Sequence, residues 1–321
     1  MTAKPVVVVG RKLPEAVEAR LSRDYTPRLN PDDKLYTLDE LLALCEGADA
    51  ILPCHSEHLN ADAIAKLPGS IKAIANFSVG VDHVDLDAAK ARGIIVTNTP
   101  NVLNDATAEI AILLMLGAAR RAHEGEQIMR EGIWTSWSPS FMVGTQVTGK
   151  RFGVIGMGRV GQVTAERARG FGMAIHYYNR ARLEPATENG AVYHDSVEAL
   201  LPHCDVLSLH CPATPETRQL LNAERIALLP DGAIVVNTAR GTIIDEPALV
   251  AALKSGKVAA AGLDVYTEEP TTNSAYKDLP NTFLMPHIGS ATADTRDAMG
   301  FRALDNLDAI FAGREPGDRV A

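Results

Sequence analysis

Short runs of apolar, β-branched residues alternate along the chain with longer stretches whose apolar positions recur at helical spacing. That alternation predicts parallel strands joined by crossover helices, an α/β architecture. In the first third, Val6–Val9, Ala50–Pro53, Ala73–Phe77 and Ile94–Thr97 read as strands. Pro14–Leu21 and Leu38–Cys45 read as helices between them, and Asp85–Arg92 as a short helix stopped by Gly93.

A long helix follows, with Asn104 or Asp105 as its cap and Arg120 and Arg121 near its far end. Its body, Ile110–Leu116, is apolar nearly all round, which predicts burial between domains. Gly132–Gly149 is less regular and carries both tryptophans. A second α/β series then begins at Arg151–Ile155, with further strands at Ala174–Tyr178, Val206–His210, Ala233–Asn237, Ala259–Val265 and Phe283–Pro286. A final helix runs through Asp294–Phe311. Two successive series predict two doubly wound parallel-sheet domains, the closing helix returning to the first.

At 321 residues, 46% hydrophobic and 22% charged, the chain has the composition of a two-domain globular protein. The net charge of −9 argues against a nucleic-acid or anionic-membrane surface. Cys45, Cys54, Cys204 and Cys211 show no CxxC or metal-ligand spacing, so reduced thiols and no metal are expected. Without a signal-peptide pattern or a long apolar span, a cytoplasmic location is the expectation.

The first chemical signal is Gly156-Met-Gly158-Arg-Val-Gly161, set between the strand Arg151–Ile155 and the helical Gln162–Arg169. In that context GxGxxG is a dinucleotide fingerprint. Gly156 permits the tight turn, Gly158 lets a pyrophosphate approach the backbone, and Gly161 allows close helix–strand packing. At the end of the next strand an NAD-preferring site places Asp or Glu for the ribose 2′-hydroxyl. This chain has Asn179, then Arg180, with Arg182 close behind. Arginine can bind a 2′-phosphate that a carboxylate would repel, which favours NADPH. The alternative, arginines on a solvated loop and NADH as cofactor, stays open.

Ligands of a parallel sheet bind beyond the carboxyl ends of its strands. Three such ends carry polar residues: Thr238-Ala-Arg240-Gly241, Tyr266-Thr-Glu-Glu269-Pro270 and Pro286-His287-Ile-Gly289. Each alone has a bland reading as a surface cation, a solvated acid or a turn residue. Together with Val79-Gly-Val-Asp-His83, His210-Cys-Pro212 and Thr217, Leu263-Asp-Val and Ser290, their order and spacing resemble the D-isomer-specific 2-hydroxyacid dehydrogenase family.

The resemblance covers most of the chain. It implies a Rossmann-type NAD(P)-binding domain over 101–285 and a flavodoxin-like substrate domain from 1–100 and 286–321. It further implies Arg240, Glu269 and His287 as the catalytic triad. Arg159, Val160, Cys211 and Pro212 belong to the matching cofactor motifs, and by resemblance Thr107, Thr217, Thr238, Ala239 and Asp264 line the cofactor, with Gly289 close to it. Reduction of a 2-oxo acid needs a proton donor and a carboxylate anchor beside the nicotinamide. His287 would give the proton, Glu269 would orient the imidazole, and Arg240 would hold the carboxylate. The N–H groups of Val79 and Gly80 would grip the same carboxylate from the other domain, unless that loop is a plain turn.

Trp134-Thr-Ser-Trp137 looks most like the glyoxylate/hydroxypyruvate reductases of the family. That likeness implies a homodimer in which Trp137 reaches the neighbouring subunit's site; packing alone would also account for both tryptophans. The expected activity is reduction of glyoxylate or hydroxypyruvate to the D-2-hydroxy acid. Other 2-oxo acids, 2-ketogluconate or pyruvate among them, and a cofactor-sensing corepressor remain as alternatives on the same scaffold.

Overall fold

The computed structural model describes residues 3–271 and 275–321, and the chain divides into two compact units, 1–103 with 290–321, and 104–289. In the first unit, β1 (Val6–Val9), β2 (Thr26–Arg28), β3 (Ala50–Leu52), β4 (Ala73–Ala75) and β5 (Ile95–Thr97) form one sheet in the order β2-β1-β3-β4-β5. Every pairing is parallel, and the order is that of flavodoxin-type sheets.

Successive strand residues point to opposite faces. Val7, Val9 and Leu52 therefore join one core cluster with Leu304 and Leu307 of the helix Ala293–Phe311. Val8, Ile51 and Ile74 join another on the opposite face. Both faces are covered, which is why these strands read as unbroken apolar runs. Helix Leu38–Cys45 opens with a reciprocal cap: Thr37 Oγ1 accepts from the Glu40 N–H, and the Glu40 carboxylate accepts from the Thr37 N–H. Two elements were not expected. The strand β2 contains Pro27, tolerated because it lies at the sheet edge. The helix Ala61–Lys66 is short and capped by Asn60.

The second unit holds β6 (Arg151–Ile155), β7 (Ala174–Tyr178), β8 (Val192–His194), β9 (Val206–Leu209), β10 (Ala233–Asn237), β11 (Val258–Leu263) and β12 (Thr282–Leu284). Their order is β12-β11-β10-β9-β6-β7-β8, again with every pairing parallel. The order reverses between β6 and β9, so a crevice opens there at the carboxyl ends, where the GxGxxG turn sits.

The helix Asn104–Ala119 packs on this unit's own sheet. A Cβ on Gly262 would lie 2.6 Å from the Leu114 carbonyl oxygen, and one on Gly117 would lie 2.4 Å from the Phe283 ring. Ala111, Leu114, Met115 and Ala118 are buried in the core beneath it, whereas Leu113 faces out. Arg121, at φ +55°, ends that run, and a second, unexpected helix follows at Ala122–Glu131 with no residue buried. No helix of the described residues is long and apolar enough to cross a membrane.

Candidate active site

The glycine turn after β6 has the geometry its spacing predicts. Gly156 takes φ +93°, and a Cβ there would strike the backbone of Cys211 at 2.5 Å. A Cβ on Gly161 would lie 2.4 Å from the Gly156 carbonyl oxygen, so the helix Arg159–Arg169 seats directly on the turn. Gly158 is different: it is exposed, and a Cβ there would meet nothing within 4 Å. Gly158 is also the N-cap, with no side chain bonded to the first helical turn. A turn closed on the protein side and open on the other, facing uncapped N–H groups, fits a pyrophosphate. Arg159 is exposed and Val160 half-buried beside it.

Asn179 and the two arginines do different work. The Asn179 amide closes the turn, its Oδ1 accepting from the Met157 N–H at 2.7 Å. Arg182 forks onto Glu188 at 2.7 and 3.0 Å, and Glu188 also accepts from the Tyr177 hydroxyl at 2.6 Å. These two partners hold the Glu188 carboxyl down at about 2, Arg182 contributing most. Arg182 thus secures its own loop. Arg180 is exposed, with the Glu216 carboxylate in its field.

On the adjoining strands, Thr238, Ala239 and Arg240 follow β10 and are half-buried. Asn237 organises them, accepting from the Ala239 N–H at 2.9 Å and donating to the Arg240 carbonyl at 2.9 Å. Gly241 brings this loop against the next: a Cβ there would lie 1.9 Å from the Tyr266 carbonyl carbon. That next loop, after β11, carries Glu269. The loop after β12 carries His287, at φ +54°. His287 Nδ1 and Glu269 Oε2 are in direct contact. The other Glu269 oxygen accepts from the Tyr266 N–H at 2.7 Å. Asp264, buried, accepts from the Ile288 and Gly289 N–H groups at 2.7 and 2.8 Å. Burial pushes its carboxyl above the usual range, against the pull of those two donors and of His287.

The remaining predicted contacts cluster on this side of the unit. Thr107 is buried next to Gly289, 3.4 Å from where a Cβ would stand. Cys211 backs Gly156, and Thr217 donates to the Pro212 carbonyl at 2.7 Å. His210 in the same run has no role in the sequence reading. It is half-buried between Ser208 Oγ at 2.8 Å and Thr238 Oγ1 at 3.4 Å, and desolvation lowers it to about 4. Its place in His210-Cys-Pro212, at the end of a strand beside the fingerprint strand, was the available signal.

In the first unit, the loop holding Val79 and Gly80 spends its carbonyls internally. Those of Ser78, Val79 and Gly80 accept from Thr99 N–H, Asn98 Nδ2 and Ser78 Oγ. Among the described residues, none accepts from the N–H of Val79 or Gly80. Trp137 is 75% exposed, within a strip that also exposes Met129, Ile133, Trp134, Phe141 and Val143.

Residues 112–289 match the model of the D-isomer specific 2-hydroxyacid dehydrogenase, NAD binding domain. Across 315 residues, 98% of each chain, the sequence is 45% identical to a glycerate dehydrogenase of Hyphomicrobium methylovorum. It is 40% identical to a glyoxylate reductase of Thermococcus litoralis over 99% of this chain and 97% of that one. The fold superposes at a TM-score of 0.86 on an NADPH-dependent glyoxylate/hydroxypyruvate reductase from Sinorhizobium meliloti, solved with NADP and malonate. That pair shares 33% identity over 99% of this chain and 97% of the other. Fold, nucleotide turn and relatives agree, and the chain belongs to the D-isomer-specific 2-hydroxyacid dehydrogenase family.

Proposed function

We propose that the chain is an NADPH-preferring reductase of glyoxylate and hydroxypyruvate, forming the D-2-hydroxy acid. The observation that carries the chemistry is the Glu269–His287 contact. One imidazole nitrogen is held by a carboxylate, and in this reading the imidazole gives its proton to a developing alkoxide through Nε2. Bound at the Gly156–Gly161 turn and lined by Thr107, Thr217, Thr238, Ala239 and Asp264, the nicotinamide cofactor would supply the hydride. Arg240 anchors the substrate carboxylate with its guanidinium fork. In this reading 104–289 binds the cofactor and carries Arg240, Glu269 and His287.

The NADPH preference rests on Arg180, because Arg182 is committed to Glu188 and Asn179 to Met157. No carboxylate stands at 179 to repel a 2′-phosphate. The reductase from S. meliloti solved with NADP supports the same choice. The exposed apolar strip around Trp134 and Trp137 is larger than a lone surface residue and suits a second copy of the chain.

Initial rates with glyoxylate and hydroxypyruvate, each with NADPH and with NADH, test the reading. NADPH-linked turnover of either acid well above the NADH rate is the expected result. Turnover confined to NADH would remove the role given to Arg180. Absence of turnover with either acid would remove the substrate assignment.

A further inference from the structure

The loop that presents His287 is tied to its neighbours through its backbone. Strand pairing runs past β12, since the Met285 N–H donates to the Leu263 carbonyl at 2.8 Å. Pro286 has no N–H. The Ile288 and Gly289 N–H groups both go to Asp264. At the point where the chain turns into the left-handed His287 lies the Met285 carbonyl. It accepts from the Tyr266 hydroxyl at 2.9 Å. The same residue's backbone N–H donates to Glu269 Oε1 at 2.7 Å. Tyr266 therefore bonds to both loops whose side chains meet, one through its hydroxyl and one through its main chain.

We propose that Tyr266 is a positioning residue for the Glu269–His287 pair. Its main-chain N–H fixes one carboxylate oxygen, so that the other faces His287. Its hydroxyl fixes the carbonyl two residues before the imidazole. Three features make this a fixed strut. The ring is half-buried against the core of this sheet. Its backbone is pinned by the close approach of Gly241. Burial, reinforced by the Asp264 and Glu269 charges, raises the phenol to about 12, so the hydroxyl keeps its proton throughout the working range. A phenylalanine would keep the ring and the main-chain bond, and would lose only the hydroxyl's bond to the Met285 carbonyl and its longer 3.3 Å contact with the Leu263 carbonyl.

The inference rests on His287 being the proton donor, and the test separates the two. Tyr266→Phe, His287→Gln and the unaltered enzyme are compared on whichever small 2-oxo acid of a panel the unaltered enzyme reduces fastest. For Tyr266→Phe, kcat should fall about fivefold, the scale of one buried hydrogen bond. The KM for the oxo acid, the NADPH dissociation constant and the melting temperature should hold. The solvent deuterium isotope effect on kcat should rise, because a misaimed imidazole makes proton transfer limit the rate more. A purely structural role would lower the melting temperature and leave the isotope effect unchanged, and that result overturns the inference. So does Tyr266→Phe with unaltered kcat and isotope effect while His287→Gln is inactive. Full activity in His287→Gln would instead remove the acid itself, and the inference with it.

Discussion

Two glycines two residues apart in the same turn separate folding from cofactor binding. Gly156 has positive φ and the Cys211 backbone against it, so Gly156→Ala should cost about 1–3 kcal/mol or more and lower the melting temperature. Gly158 has open space where a side chain would go. Gly158→Ala should therefore melt like the parent while its NADPH dissociation constant rises, read by thermal denaturation and by quenching or enhancement of cofactor fluorescence. Unchanged NADPH affinity in Gly158→Ala would place the pyrophosphate elsewhere. Arg180 makes a narrower prediction. Losing one charge-assisted contact to a 2′-phosphate, Arg180→Ala should raise the KM for NADPH about tenfold and leave that for NADH alone. Equal loss with both cofactors would assign Arg180 to the loop and not to the phosphate.

At the scale of elements, the outer edge of the second sheet holds three histidines away from the strand ends that carry the site. His176 on β7 and His194 on β8 place Nδ1 and Nε2 3.0 Å apart. His203 stacks on both, its ring plane 3° from that of His176 and 28° from that of His194, with centroids 5.2 and 4.9 Å away. An imidazole nitrogen donating to another requires the acceptor to be neutral. Desolvation, then the His194, His203 and Arg151 charges, lowers His176 to about 4, with Asp205 opposing. Desolvation and His203 lower His194 as well, against Asp195. Such groups are neutral in the fold and protonated in the unfolded chain, so their contribution is present above the ordinary imidazole value of 6.5 and is lost as pH falls toward 4. The melting temperature should decline over that interval. His176→Gln should flatten the decline in part, since the desolvated His210 titrates in the same window. An unaltered slope in His176→Gln would show that the cluster is not what titrates.

This edge also shows what the sequence conceals. Buried runs such as Ala233–Asn237 and capped helices such as Leu38–Cys45 were legible residue by residue, because apolar continuity and the Thr37–Glu40 pair act locally. The strands Thr26–Arg28 and Val192–His194 were not, because each is three residues long, partly exposed and dependent on its one neighbour. Helix Glu246–Ser255 was passed over although Asp245, Pro247 and Gly256 mark its two ends. In the site, the nucleotide turn and the three polar strand ends could be read from spacing. The commitments of Asn179, Arg182 and Tyr266 could not: each is decided by a partner from another loop, turn or strand that only the folded chain supplies.

For the molecule as a whole, the exposed strip from Met129 to Val143 predicts self-association. Light scattering on the purified protein should give twice the chain mass, and Trp134→Glu with Trp137→Glu should shift it toward one. A parent protein that is monomeric at micromolar concentration would contradict that. The family itself accounts for hydride chemistry on 2-hydroxy acids; the function proposed for this chain gives the proton transfer to His287 under Glu269. The most direct measurement is the NADPH-linked reduction rate of His287→Gln beside the unaltered enzyme, with the NADPH dissociation constant taken on both. The account predicts a loss of about a hundredfold to ten-thousandfold in kcat with cofactor affinity retained. Comparable kcat in the two proteins would contradict it.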